Sequence, residues 1–241
     1  MGDSSIENQL SQIASGPPPA TISDVLSNMR SIDNLLPNED GLKWFNLLYM
    51  KVTEQVDVNP PPGGWKDAAW LTRLDVVFAR FYFNAIANWL DGSAALPSSW
   101  KTLFEARFLP GIERIQFALA GMNAHINHDL ALALLQTNSE MNLVPSAASP
   151  EHADFESVNG ILEAVLPTAL RFLATGVLGE LAQDTGNIGK LLAIWKVRAA
   201  RDLAWDLAGH LRSLTGTARA TALTLQDQMT GVIGHSLLLA V

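Results

Sequence analysis

Apolar residues recur every three to four positions along most of this chain, the spacing that builds one face of a helix. The pattern predicts a first helix over Thr21–Leu36, with Ile22, Val25, Leu26, Met29 and Ile32 on one stripe, ended by Pro37-Asn38-Glu39-Asp40. A second begins at Gly41, carries Trp44, Phe45, Leu48 and Tyr49, and stops before the Pro/Gly run at 59–64. A third covers Lys66–Leu90, with Leu71, Leu74, Phe78, Tyr82, Ile86 and Trp89 on its stripe. A short helix from Ser98 follows, then a long central helix over 112–136, opened by Pro110-Gly111. Residues 137–151 read as a long loop. A helix over Ala153–Thr175, interrupted near Pro167, an irregular stretch over 176–189, and helices over 188–214 and 218–239 complete the chain. No strand pattern and no internal repeat stand out. The expected architecture is all-α: a single-domain bundle of seven or eight helices around a buried central one, over 20–241, with residues 1–19 as a flexible tail.

The central helix is apolar nearly all round, which marks it as buried. Yet its middle, Asn123-Ala124-His125-Ile126-Asn127-His128-Asp129, holds two Asn, two His and one Asp. Burying an unpaired polar group costs roughly 2–7 kcal/mol, and a charge more. These side chains therefore need partners, a ligand or an ion. His125 and Asp129, one turn apart, share a face with Ala118, Gly121 and Leu132, whereas Asn123 and Asn127 share the other side with Gln116. His128 points partly away, toward the surface.

Neighbouring helices carry matching anomalies. Asp75 interrupts the third helix's apolar stripe, which also bears Tyr82. Arg198 and Asp202 are spaced i,i+4 on a face with Trp195 and Trp205 that reads as buried. Asp75, Asp129, Asp202 and His125 are thus candidates to converge in the core. Each has a structural reading too. The Asn residues and Gln116 can capture backbone carbonyls, Arg198 with Asp202 can be a buried ion pair, and Asp75 can cap a helix or loop.

Composition narrows the function classes. Net charge is −8 and only 17% of the 241 residues are charged, with no basic tract to suit a nucleic acid. There is no cysteine, so disulfides, thiolate metal sites and Cys nucleophiles are excluded, and a cytoplasmic location is expected. Residues 1–19 lack the basic start and apolar core of a secretory signal. A membrane span centred on the His/Asn/Asp cluster is disfavoured. Neither a Gly-rich phosphate loop nor a Gly-x-Ser-x-Gly elbow occurs.

The run Ile115–Leu130, with its Gly121-Met122-Asn123-Ala124-His125-Ile126-Asn127-x-Asp129-Leu130 core, resembles the hallmark of an actinobacterial and fungal helical family defined as a domain of unknown function. The similarity extends to Trp44-Phe45-Asn46, Leu74-Asp75-Val76-Val77-Phe78-Ala79 and Ala200-Arg201-Asp202-Leu203-Ala204-Trp205. It implies that these residues matter, without supplying a reaction. The His-x-x-x-Asp spacing of His125 and Asp129 also resembles the helical zinc phospholipase C and nuclease group, and His128-Asp129 the dipeptide of HD-domain phosphohydrolases. Both families need further His ligands that this chain lacks.

The expected function is a cofactor-independent cyclase, isomerase or lyase of specialised metabolism, acting on a small, largely apolar substrate in a helical-core cavity. His125 tuned by Asp129, with Asp75 and Tyr82, would perform acid–base work. Asn123, Asn127, Trp44, Tyr49, Phe78, Asp202 and Trp205 would shape or hold the substrate. A divalent metal held by His125, Asp129, Asp75 and Asp202 is one alternative. A non-enzymatic ligand-binding protein is the other. The oligomeric state is open.

Overall fold

The computed structural model describes residues 4–93, 96–174 and 196–240, and among them every regular element is a helix. The order is α1 (Ser4–Ala14), α2 (Ile22–Leu35), α3 (Gly41–Val58), α4 (Ala68–Leu90), α5 (Ser98–Ala106), α6 (Arg114–Ala124), a π-turn (His125–Asp129), α7 (Leu130–Glu140), α8 (Pro150–Leu173), α9 (Val197–Ser213) and α10 (Gly216–Leu237). The chain forms an all-α single-domain bundle, and α6, the π-turn and α7 run as one continuous central helix. Counting that helix once, the described residues hold nine helices, one more than the largest number expected.

The extra helix is α1, in the stretch read as a flexible tail. Leu10 and Ala14 are buried, with Ile6 and Ile13 packed alongside. This short amphipathic stripe was masked by its polar neighbours. Glu7 also pairs with Arg107, at 3.3 Å, and Arg107 grips the fully buried Asp40 through both Nε and Nη2. Asp40 meanwhile accepts from the backbone N–H of Leu42 and so caps α3.

Local chemistry fixes the other starts. Thr21 and Asp24 form a capping box on α2, Asp67 caps α4, and Ser149 caps α8. Two boundaries differ from expectation. The central helix continues to Glu140, because Thr137 is still core-facing. In α8, Pro167 causes no break: Leu166 and Leu170 stay buried on either side of it. The stretch 176–189 and Trp195 lie outside the described residues.

The central helix is the axis of the bundle. Gly121 lets α3 approach it, since a Cβ there would sit 2.3 Å from the Phe45 ring. On the far side α10 closes over α5 and the central helix, using Gly231 and Gly234 where it meets Ser98 and Thr102.

Candidate active site

The polar residues of the central helix face two ways, and the two sides do different work. On the α10 side the Asn123 Nδ2 donates to the Thr230 carbonyl at 2.8 Å, and Asn127 Nδ2 donates to Asn123 Oδ1 at 2.9 Å. Gln226 reaches back to the Asn127 carbonyl. Gln116 Nε2 donates to the carbonyls of Leu237 and Leu239, at 2.9 and 2.7 Å. Asn123 and Asn127, expected as substrate ligands, are instead the polar seam that binds α10 to the axis. Their amides satisfy buried carbonyls, as such groups usually do.

The other side is built by the π-turn. The N–H of Leu130 bonds to the carbonyl of His125, an i→i+5 link that inserts one extra residue into the turn. In that wider turn both histidines reach one carboxylate. His125 Nδ1 lies 2.9 Å from Asp129 Oδ2, and His128 Nδ1 lies 2.9 Å from Asp129 Oδ1. Trp100 Nε1, from α5, donates to Asp129 Oδ2 at 2.9 Å. An ionised carboxylate only accepts, so Nδ1 of each imidazole carries a proton. Contrary to the expectation of a surface position, His128 is 9% exposed, because the π-turn rotates it inward. Its Nε2 lies 3.7 Å from Asp227 on α10.

These contacts push the three groups apart in acidity. Burial raises the Asp129 carboxyl, but the bonds from His125 and His128 outweigh burial and hold it below the usual carboxylate range. Burial also lowers both imidazoles. For His128 the bond to Asp129 and the charge of Asp227 win, so it is raised above 6.5. For His125 burial wins over the same carboxylate, and it is lowered. At neutral pH His125 is therefore neutral, with a lone pair on Nε2.

That Nε2 atom is buried without a hydrogen-bond partner. Its ring lies flat on Phe78, centroids 3.5 Å apart and 6° from parallel, and meets the edge of Tyr49 at 4.5 Å. The three rings share a cavity of about 70 Å³ with Phe45, Asp75, Met122 and Arg201. Asp75 contributes a second buried atom without a partner, Oδ2. Burial pushes its carboxyl from 3.8 up to about 7, although Arg201 pulls the other way. Arg201 is itself lowered by burial, to about 10, and remains a cation at neutral pH. It is clamped on α8 by Asn159 Oδ1 at 2.8 Å and the Phe155 carbonyl at 2.6 Å. Tyr49 is held protonated by burial and by the nearby Asp75 and Asp129.

The structure thus brings His125, Asp75, Tyr49 and Phe78 to one cavity, with Asp129 directly behind His125. Tyr82 is close in space but directed elsewhere. Its hydroxyl donates to Asn46 Oδ1 at 3.2 Å, and its ring packs on Phe45 and Trp100. Trp44 is buried under the Arg114 guanidinium, 4.2 Å from its ring, and does not line the cavity. Trp205 packs with Trp70, His152 and Phe155, also away from His125.

Asp202 is exposed, and Arg198 reaches out to Glu156 and Glu163. The buried charged residue of α9 is Arg201. Its stripe runs Val197, Arg201, Ala204, Ala208 and Leu211, one position off the face inferred from the tryptophans. Among the described residues no group of three or more His, Cys, Asp or Glu side chains is arranged to hold a metal ion. In particular, His125, Asp129, Asp75 and Asp202 do not form one ligand set. Sequence reasoning missed Trp100, Arg201, the inward turn of His128 and Asp227. Only Arg201 left a signal, in the helical spacing of α9.

A helical bundle whose axis carries a buried His-Asp-His cluster beside a small aromatic cavity is the class of protein defined here. The chain belongs to the family described as "Family of unknown function (DUF5995)", whose family model matches residues 22–240. No curated protein and no solved structure matches it. No helix among the described residues is long and apolar enough to cross a membrane.

Proposed function

We propose that this protein is an enzyme that moves a proton on a small, largely apolar molecule bound in the cavity that Phe78, Tyr49 and His125 line. The observation that carries this reading is His125 Nε2: a buried atom without a partner, on a residue that lines the cavity, with Nδ1 fixed by an ionised aspartate. A carboxylate behind an imidazole sets the tautomer and stabilises the imidazolium that forms when Nε2 takes a proton. Asp75, titrating near 7 in the same cavity, is the matching acid. Arg201 and the Tyr49 hydroxyl supply charge and a donor for a developing oxyanion.

Proton removal at one atom and return at another is isomerisation. With loss of a leaving group it is elimination, and with attack on an internal carbon it is ring closure. None of these needs an organic cofactor. A water needs at least about 10–15 Å³ of such space, so the cavity admits a molecule of roughly half a dozen non-hydrogen atoms. A cytoplasmic setting belongs to the same reading and is supported by a sequence without cysteine.

The test needs no known substrate. Small ketones such as cyclopentanone are incubated with the protein in deuterated water, and exchange of the protons next to the carbonyl is followed by NMR. The imidazole nitrogen shifts of His125 are recorded in parallel. Exchange above background that is lost in both His125→Gln and Asp75→Asn, each still folded, is the expected result. Unchanged His125 shifts with every ketone, together with unfolding of His125→Gln, would assign the cluster to fold stability alone.

A further inference from the structure

The last helix has two unlike faces. Its inner face, with Thr230, Gly231 and Gly234 buried, is nearly side-chain-free and lies tight on α5. Its outer face is apolar and, among the described residues, exposed. Among the described residues eleven large apolar side chains are exposed, and four of them lie on this helix: Leu225, Met229, Val232 and Ile233. Scattered exposed apolar residues need no explanation, but a contiguous set on one helix does.

The spacing is specific. Ala218, Ala222, Leu225, Met229, Val232 and Ser236 alternate steps of four and three, the seam of a two-helix coiled coil. All are exposed or partly exposed. In the helical register the flanking positions are Arg219, Gln226 and Ile233 on one side and Thr221, Gln228 and His235 on the other. None is acidic. Asp227, the helix's single carboxylate, is turned inward onto the N–H groups of Ser98 and Ser99. In a chain of net charge −8, this face brings no like-charge repulsion to a second copy of itself. It lacks the acidic flanks that would select a basic helix and the Lys/Arg border of a membrane-lying helix.

We infer that α10 is a self-association surface on which two copies of this chain pair, α10 against α10, antiparallel. Antiparallel pairing sets the positive end of each helix beside the negative end of the other. It also places Met229, near the middle of the seam, close to the two-fold axis. Along its 22 residues the helix offers about 33 Å of seam. The inner face of the same helix holds the central helix through Thr230 and Gln226, so pairing would brace the wall behind His125 without contributing to the cavity.

Sedimentation equilibrium of the full chain tests this. The expected mass is twice 26.1 kDa, about 52 kDa. Met229→Glu and Leu225→Glu are expected to weaken association by more than about 100-fold while leaving the far-UV spectrum unchanged. Because the chain has no cysteine, Met229→Cys gives a second readout that does not depend on a destabilising change. Oxidation should yield a covalent dimer far faster than it does for Ser213→Cys, off the seam. A wild-type monomer at roughly 100 μM, a dimer undiminished by both Glu variants, co-flotation of monomer with vesicles, or equal cross-linking of the two Cys variants would each overturn the inference.

Discussion

Asp75 makes a prediction that separates a neutral acid from half of an ion pair. Its carboxyl is pushed from 3.8 to about 7 by burial, with Arg201 only partly offsetting. A folded-state value above the unfolded one means that the native state holds a proton the unfolded state has released. Stability contributed here is present below about pH 4 and falls as pH rises through about 7. The full displacement corresponds to about 4 kcal/mol, at about 1.36 kcal/mol per tenfold. Asp75 is partly exposed as a residue, and solvent screening brings the expected penalty to about 2 kcal/mol. Asp75→Asn mimics the protonated acid in shape and cannot ionise. Below about pH 4 the variant and the parent should be equally stable, and at pH 5 the variant should lead by only about 0.7 kcal/mol. At pH 8 the variant should be the more stable by about 2 kcal/mol, or about 4–8 °C in melting temperature for a chain of this size. Thermal or urea unfolding at the two pH values reads the difference directly, and activity should fall in the same variant. A variant destabilised equally at pH 5 and pH 8 would mean that Asp75 is ionised and bound to Arg201, and the acid role would be withdrawn.

Four further outcomes follow from the packing and the site. Proton exchange should follow a bell-shaped pH profile, because His125 acts as a base above its lowered pKa and Asp75 as an acid below about 7; a rate rising monotonically from pH 5 to pH 9 would contradict the pairing. Gly121→Ala gains about 1 kcal/mol of helix propensity but sets a Cβ 2.3 Å from the Phe45 ring. Tyr82 and Trp100 hold that ring, so a net loss of about 2 kcal/mol is expected by denaturation. Asn123→Ala removes a donor from the buried Thr230 carbonyl and the acceptor of Asn127 Nδ2, costing about 1–3 kcal/mol with the His125 nitrogen shifts unchanged; altered shifts would return Asn123 to the site. Leu10→Ala should cost at least about 2 kcal/mol, and an unchanged melting temperature would make the N-terminal segment the tail its composition suggests.

How much of this was legible depended on whether a local rule or a long-range one decided each feature. The helices α2, α3 and α4 were readable because their apolar stripes follow local caps at Thr21, Asp40 and Asp67, and α5 because Pro97 marks its start without a side-chain cap. The buried central helix was readable because Ile115–Ala120 and Leu130–Leu135 leave it no polar face. The helix α1 was not, since its few apolar residues are stable only against α2 and α4 and under the Glu7–Arg107 pair. The pairing of His125 with Asp129 needed only the four-residue spacing. Phe78 and Tyr49 as its walls followed from stripes on α3 and α4.

The misassigned residues share a cause: a side chain was placed by counting along an ideal helix. In an α-helix His128 stands about 60° from His125 and about 100° from Asp129, and one inserted residue lets both imidazoles donate to that carboxylate. That insertion also explains how the core tolerates Asp129. Two imidazole N–H groups and the Trp100 indole N–H satisfy its oxygens, and Asp129 and Asp227 together raise His128 and so favour its charged form. At His125 burial prevails over the Asp129 carboxylate, and its Nε2 stays free to take a proton. On α9 the error was of the same kind. Trp205 suggested a face, but aromatic rings reach core from a helix flank, whereas Val197, Ala204 and Ala208 mark the contact line, and Arg201 lies on it. The site is therefore assembled by two registers, a π-turn and a face offset by one residue. Neither is encoded in the residues that carry the chemistry.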